Sequence, residues 1–205
     1  SVSSLLSSVL SLNYKVGLYS SPHLYNYTER IKINKKNISK KDFINIYNFI
    51  EKKILEYEKM SGKTFSFFEV LTAMSFIYFK KNKVDINVIE TGIGGTYDTT
   101  NVIKSDIQVI TPISYDHQNV LGDTIKSISE NKAGIIKQNS TVITSKQISE
   151  ALEIIRKKSA EKKSKLIELN YSIKSKLSIK DFRMNTLIEI NGDEYNISSN
   201  SVGRH

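Results

Sequence analysis

The residues of this sequence able to do chemistry fall in four short segments. Tyr19-Ser20-Ser21-Pro22-His23-Leu24 places two hydroxyls and an imidazole around a proline-fixed backbone. Glu90 closes the apolar run at residues 84–90 and is followed by Gly92-Ile93-Gly94-Gly95. Asp116-His117 comes after the apolar run at residues 107–113, and Lys132 opens Lys132-Ala133-Gly134-Ile135-Ile136. A strand-end carboxylate suits magnesium, which takes one or two carboxylates with hydroxyls, waters and phosphate oxygens rather than an all-protein cage. Glycines let the backbone approach a ligand closely. Each segment also has a plain structural reading. Ser-Pro is a common turn opener. The glycines equally make a tight strand–helix turn, and they are no dinucleotide fingerprint because that pattern's third glycine is absent. A lone histidine is more often structural than catalytic. Beside Asp116, at the end of a strand and in register with Glu90, His117 reads as functional. Lys132 is a solvated helix residue, a cation turned toward a site, or a carbamate formed with CO₂.

The elements that must position these groups alternate between helix and strand patterns, which predicts an α/β fold with a mostly parallel sheet and crossover helices. Residues 1–12 read as a helix, 15–19 as a short buried strand and 30–34 as a second extended piece. A helix starts at Ser39, where Ser39-x-x-Asp42 has capping-box spacing. Its Phe43, Ile46, Ile50, Ile54 and Tyr57 mark one buried face, and Gly62 ends it. Residues 67–79 are apolar nearly all round and predict a central buried helix. Strands follow at 84–90, 107–113, 141–144 and 165–169, with helices at 124–137 and 147–163, Lys132 falling mid-helix. Beyond residue 170 the pattern changes to a small antiparallel β element, with Asn191-Gly192 between two short strands. Ligand chemistry in such sheets collects on loops at the strand carboxyl ends. That rule brings residues 19–25, 90–101 and 114–122 side by side, and every unusual polar cluster lies in one of them.

Bulk composition narrows the function classes. The chain has 205 residues, enough for one α/β domain or one domain with a small extra sheet. We divide it into an α/β core at 1–170 and a β-rich extension at 171–205. With 39% hydrophobic and 25% charged residues it is an ordinary core-burying composition. No apolar run approaches the roughly 18–20 residues of a membrane span. Residues 1–12 lack the basic start and cleavage site of a signal peptide. The absence of cysteine excludes disulfides, thiolate nucleophiles and zinc–thiolate sites, and suits a reducing cytosol. A net charge of +9, from 30 basic and 21 acidic residues, attracts polyanions in principle. The lysines are scattered in pairs such as Lys35-Lys36, Lys52-Lys53 and Lys162-Lys163, as on the wet faces of helices, which favours a solvated surface over a nucleic-acid patch.

Taken together the segments resemble the bifunctional dihydrofolate synthase/folylpolyglutamate synthase family of the Mur ligases. Residues 16–24 look like its first-strand motif, and Thr28-Glu29-Arg30-Ile31 follows as it does there. Phe68-Glu69 with Leu71-Thr72-Ala73 resembles its central helix, and Ile89-Glu90-Thr91-Gly92-Ile93-Gly94-Gly95 with Asp98 and Thr100-Asn101-Val102 its second signature. Asp116-His117, Leu121-Gly122 and residues 130–137 resemble the third. The match fades after about Val142 and returns at Gly203-Arg204-His205, which looks like a segment leading toward an adenine pocket.

The resemblance implies an incomplete nucleotide-binding central domain of the P-loop NTPase kind. It implies ATP and Mg²⁺ as cofactors, with Ser21, Glu90 and His117 as magnesium ligands and Lys132, often carbamylated in the family, near a second metal. His117 and Lys132 are the catalytic candidates. Ser1 corresponds to the hydroxyl closing the phosphate loop beside Mg–ATP, and Ser66, Phe67 and Phe68 to the pterin or folate contact. The implied reaction phosphorylates the pteroate or folate carboxylate, and the amine of L-glutamate attacks the acyl phosphate. Two departures stand out. Thr96-Tyr97-Asp98-Thr99-Thr100-Asn101 replaces the commoner Arg-Leu-Asp-Ala-Thr-Asn, and the glycine-rich phosphate loop and glutamate-binding domain lie outside these residues, so the piece alone is expected to be inactive. A cytoplasmic monomer that binds no membrane or nucleic acid is expected. The alternatives are a peptidoglycan-precursor ligase of the same superfamily and a non-catalytic basic nucleic-acid-binding remnant.

Overall fold

The computed structural model describes residues 1–169, 171–173, 178–180, 183–190 and 192–199. The chain forms two compact units, Ser1–Ile103 and Lys104–His205.

In the first unit α1 (Val2–Leu10) is capped by Ser1, and β1 (Val16–Tyr19) follows. Then come β2 (Ile31–Ile33), β3 (Lys36–Asn37), α2 (Lys40–Ser61), α3 (Phe67–Lys81) and β4 (Ile86–Ile89). The sheet runs β3-β2-β1-β4, with β1 antiparallel to β2 and parallel to β4. Tyr19 pairs with Ile89, and the Glu90 N–H donates to the Tyr19 carbonyl at 2.9 Å, so these two strands end level. The strand predicted at 84–90 is shorter, and Glu90 stands just past its end.

The helices form for the reasons the sequence gives. The Ser39 hydroxyl accepts the Asp42 N–H at 3.0 Å, and Gly62 stops α2 at φ +67°, a left-handed conformation glycine adopts without a Cβ penalty. Ile46 and Ile50 are buried, whereas Tyr57, the last residue of the predicted stripe, is half exposed. Helix α3 differs from expectation. It buries one side only, through Leu71, Met74 and Phe79 with Thr72 and Ser75, while Phe67 stays 50% exposed. The two hydroxyls are tolerated inside because each donates to a carbonyl of its own helix, Thr72 to Phe68 at 2.8 Å and Ser75 to Thr72 at 2.7 Å. A Cβ on Gly17 would lie 2.7 Å from the Phe79 ring, so glycine lets α3 settle directly on β1. Burial of each large apolar side chain here contributes about 1.5–3 kcal/mol.

In the second unit β5 (Ile107–Ile110), β6 (Thr141–Thr144) and β7 (Lys165–Glu168) form a wholly parallel sheet in that order. Helices α4 (Gln118–Leu121), α5 (Ile125–Ala133) and α6 (Ser149–Glu161) accompany it. Ile110, Leu121, Ile128, Val142, Ala151 and Ile155 are among its core residues. The strand predicted at 107–113 ends at Ile110, and the Ile113 N–H instead donates to the Gln147 side chain at 2.8 Å. Helix α5 stops before Gly134, a poor helix former, which puts Lys132 in its last turn and not mid-helix as predicted. From residue 171 the strands are antiparallel. β10 (Arg183–Ile190) pairs with β8 (Tyr171–Ile173), β9 (Ser178–Lys180) and β11 (Asp193–Ser199). Ile190 opposite Asp193 fits the predicted tight turn, with Gly192 at φ +94°; Asn191 lies outside the described residues, as do Gly203-Arg204-His205. The α/β class with parallel strands and a C-terminal antiparallel element is as the sequence predicts. No helix among the described residues is long and apolar enough to cross a membrane.

Candidate functional site

The level carboxyl ends of β1 and β4 place the first two chemical segments together. The Ser21 backbone N–H and the Ser1 side chain lie close enough to the Glu90 carboxyl to lower its pKa. Burial raises the Glu90 carboxyl above its ordinary value, opposed by the nearby Ser21 amide and Ser1 hydroxyl. Ser1, Ser21 and Glu90 therefore converge within the first unit. A half-buried carboxylate flanked by serines fits the oxygen-rich donor set of magnesium, and a dication there would offset the desolvation cost. No group of three or more His, Cys, Asp or Glu side chains among the described residues is placed to hold a metal, so the fit is to a sparse magnesium site and not to a protein cage.

The segment leading from β1 to β2 is a closed loop. The Ser20 N–H donates to the Arg30 carbonyl at 3.0 Å, joining its ends. The Glu29 carboxylate accepts the N–H groups of Leu24, Tyr25 and Asn26 at 2.9, 3.0 and 2.7 Å, completing a capping box with Asn26. Arg30 Nε donates to His23 Nδ1 at 2.9 Å, and because arginine has no acceptor this nitrogen must carry the lone pair. His23 meets the Tyr27 ring edge-on at 4.9 Å, Tyr27 meets Phe67 at 5.1 Å, and the Arg30 guanidinium lies 5.5 Å from the Phe67 ring centre. The Ser21–Pro22 peptide is cis.

The glycine turn after β4 has its own carboxylate. Asp98 accepts the Gly92 and Ile93 N–H groups and the Thr100 N–H, each at 2.9 Å. A Cβ at Gly92 would lie 2.7 Å from the Phe68 ring. The structural reading holds for Gly92: its small size admits Phe68, and its N–H is engaged within the protein. Beside this turn lies an open hollow of about 350 Å³ lined by Glu69, Thr96, Tyr97, Asp98, Thr99, Asn101 and Val102. Of the predicted substrate contacts, Ser66 caps α3 by accepting the Glu69 N–H at 3.2 Å. Phe67 joins the aromatic group just described, and Phe68 is half-buried against Tyr19, with ring centres 5.7 Å apart.

The other predicted residues belong to the second unit. His117 precedes α4 in a left-handed conformation, φ 49° and ψ 38°, uncommon for a residue other than glycine. Its Nε2 is 3.5 Å from an Asp116 carboxylate oxygen, and both side chains are open to solvent, at 47% and 61% exposure. The His117 carbonyl accepts the Val120 and Leu121 amides at 2.9 and 3.0 Å, and Leu121 is buried. Lys132 is half-buried in the last turn of α5, where a cation also complements the helix dipole.

Glu29, Arg30 and Asp98 received no role from sequence reasoning although they organise the two loops of the first unit. The signals were present: Asn26-x-x-Glu29 has capping-box spacing, and Asp98-x-Thr100 has the spacing of an aspartate that bonds its own backbone two residues on.

Acidic and hydroxyl groups follow the carboxyl ends of the parallel strands β1 and β4, the edge at which α/β proteins commonly bind ligands. No family model matches the chain. The dihydrofolate synthase/folylpolyglutamate synthase of Bacillus subtilis is 38% identical over 144 residues, 70% of this chain and 34% of that protein. The folylpolyglutamate synthase of Lacticaseibacillus casei is 37% identical over 146 residues, 71% of this chain and 34% of that protein. The structure of folylpolyglutamate synthase from Thermotoga maritima superposes with a TM-score of 0.85 and 32% identity over all of this chain and 47% of its own. A folylpolyglutamate synthase complex with AMPPCP and folate gives a TM-score of 0.88 at 29% identity, over 98% of this chain and 50% of its own. The chain thus spans about a third of these curated relatives and about half of the solved structures. It belongs to the folylpolyglutamate synthase/dihydrofolate synthase family.

Proposed function

We infer that this chain is part of the ATP-binding domain of a ligase that joins L-glutamate to folate or dihydropteroate through an acyl phosphate. The reading is carried by one observation above others: β1 and β4 are parallel and end level, which sets the Ser21 segment beside Glu90. It is supported by the relatives, one of which was solved with AMPPCP and folate. Within the chain, residues 1–170 are the α/β core and 171–205 a β-rich extension. A magnesium ion held here would supply positive charge to offset the charge that develops on the phosphates during transfer. Glu90 would offer it a carboxylate oxygen and Ser21 a hydroxyl. His117 would offer a ring nitrogen, and Lys132, as a carbamate or as a cation, would act beside a second ion. Ser1 lies next to the nucleotide. The acid substrate is taken near Ser66, Phe67 and Phe68. The working protein is a cytoplasmic monomer with no membrane or nucleic-acid partner.

The test uses the full-length protein and follows ADP release that depends on L-glutamate. Turnover with dihydropteroate or a reduced folate, abolished by Glu90→Gln, is the expected result. Turnover with a UDP-sugar peptidoglycan precursor and with neither pterin acid would overturn the reading.

A further inference from the structure

The loop between β1 and β2 is packed at its base, through the His23, Tyr27 and Phe67 rings, but not at its tip. Leu24 and Tyr25 at its tip are 84% and 93% exposed, so apolar packing does little there. What fixes the tip is a single carboxylate, since Glu29 accepts the amides of Leu24, Tyr25 and Asn26 within 3.0 Å. Bonds from neutral N–H groups to an ionised acceptor are roughly twice as strong as neutral ones. Ser21 stands just before this anchor. It follows β1 beside Glu90, and three residues later the chain is pinned to Glu29. Glu29 in turn adjoins Arg30, whose carbonyl receives the Ser20 N–H and whose Nε holds His23.

We propose that Glu29 is a positioning residue that fixes the Ser21 hydroxyl for metal binding by clamping the three amides at the loop tip. The proposal rests on the assignment of Ser21 as a magnesium ligand. It makes Glu29 act on the metal without touching it, as hydrogen-bonded partners of metal ligands do elsewhere.

Manganese titration of the full-length protein, followed by electron paramagnetic resonance of the free ion, tests both statements separately. Glu29→Ala is expected to weaken Mn²⁺ binding about 10–100-fold. Glu29→Gln, which keeps one carbonyl acceptor of the same reach, should recover part of that loss. Amide exchange at Leu24, Tyr25 and Asn26 should accelerate in step with it. A merely structural role would lower the unfolding midpoint without this graded change in affinity. If Glu29→Ala does not fold, Glu29→Gln alone decides, by whether affinity and tip exchange change together. Should Ser21→Ala bind Mn²⁺ as the wild type does, the metal assignment of Ser21 fails. If Ser21→Ala weakens binding while both Glu29 variants leave it unchanged, the clamp fails and the assignment stands.

Discussion

Two loops carry residues assigned to magnesium, and they are held in opposite ways. In residues 20–30 of the first unit the loop is tied down by side chains: Glu29 holds three backbone amides, and Arg30 holds the His23 ring. In residues 114–122 of the second unit the side chains from 114 to 120 are exposed, and His117 is placed by its own left-handed backbone, two local carbonyl bonds and the buried Leu121. The first arrangement stores its geometry in charge and hydrogen bonds, so removing one carboxylate or changing pH should undo it. The second stores it in dihedral angles, so it should ignore pH and respond to which residue occupies position 117.

The largest effect that can break this contrast is at Glu90. Burial raises its folded-state pKa above the ordinary value, so folding disfavours the ionised form. Its destabilising influence is absent at low pH and is fully present above the raised pKa. Glu90→Gln removes that charge. In metal-free buffer at pH 7 its unfolding temperature should match or exceed the wild type's, while metal affinity and ligase activity fall by more than the roughly 10–100-fold lost at a residue that only orients a ligand. A variant that loses stability and keeps metal affinity would make Glu90 a structural anchor of the same kind as Glu29.

Much of this contrast was legible in the sequence. The cap at Ser39 follows from local spacing, and the nearness of the Ser21 and Glu90 segments from the rule that parallel strands gather their loops at one end. The clamps were less visible. Glu29 has the same sequence spacing from Asn26 as any capping glutamate, and nothing local says that its carboxylate also collects Leu24 and Tyr25. Helix α3 misled for a different reason: apolar residues all round it suggested full burial, but its sheet covers one face and leaves Phe67 half exposed. The left-handed His117 carries no signal of its own, because Asp-His is compatible with ordinary backbone.

His117 itself gives the next, smaller test. Left-handed backbone costs roughly 1–2 kcal/mol for a residue with a Cβ and almost nothing for glycine. His117→Gly should therefore be more stable than His117→Ala by about 1 kcal/mol in denaturant unfolding of the full-length protein. Both should lose metal affinity equally, since neither retains the imidazole. Equal stability of the two variants would mean that position 117 is not left-handed in solution, and the contrast between the loops would collapse.

The smallest expected effect is a pH dependence confined to one loop. The Leu24 amide, followed by those of Asn26 and Tyr25, holds the Glu29 carboxyl below its ordinary value of 4.5. A depressed folded-state pKa means that the clamp is fully formed above the ordinary value and is lost as pH falls through the lower one. Protonation leaves the carboxyl fewer acceptor positions for the amides. Exchange at Leu24, Tyr25 and Asn26, corrected for its intrinsic acid dependence, should then speed up below about pH 4.5. The Val120 and Leu121 amides donate to the His117 carbonyl, which does not titrate, so their protection should stay flat over the same range. Parallel loss of protection at both sets would point to acid unfolding of the protein as a whole. Unchanged protection at Leu24, Tyr25 and Asn26 would show that the loop keeps its shape without the Glu29 charge, and the difference between the two loops would then be one of geometry alone.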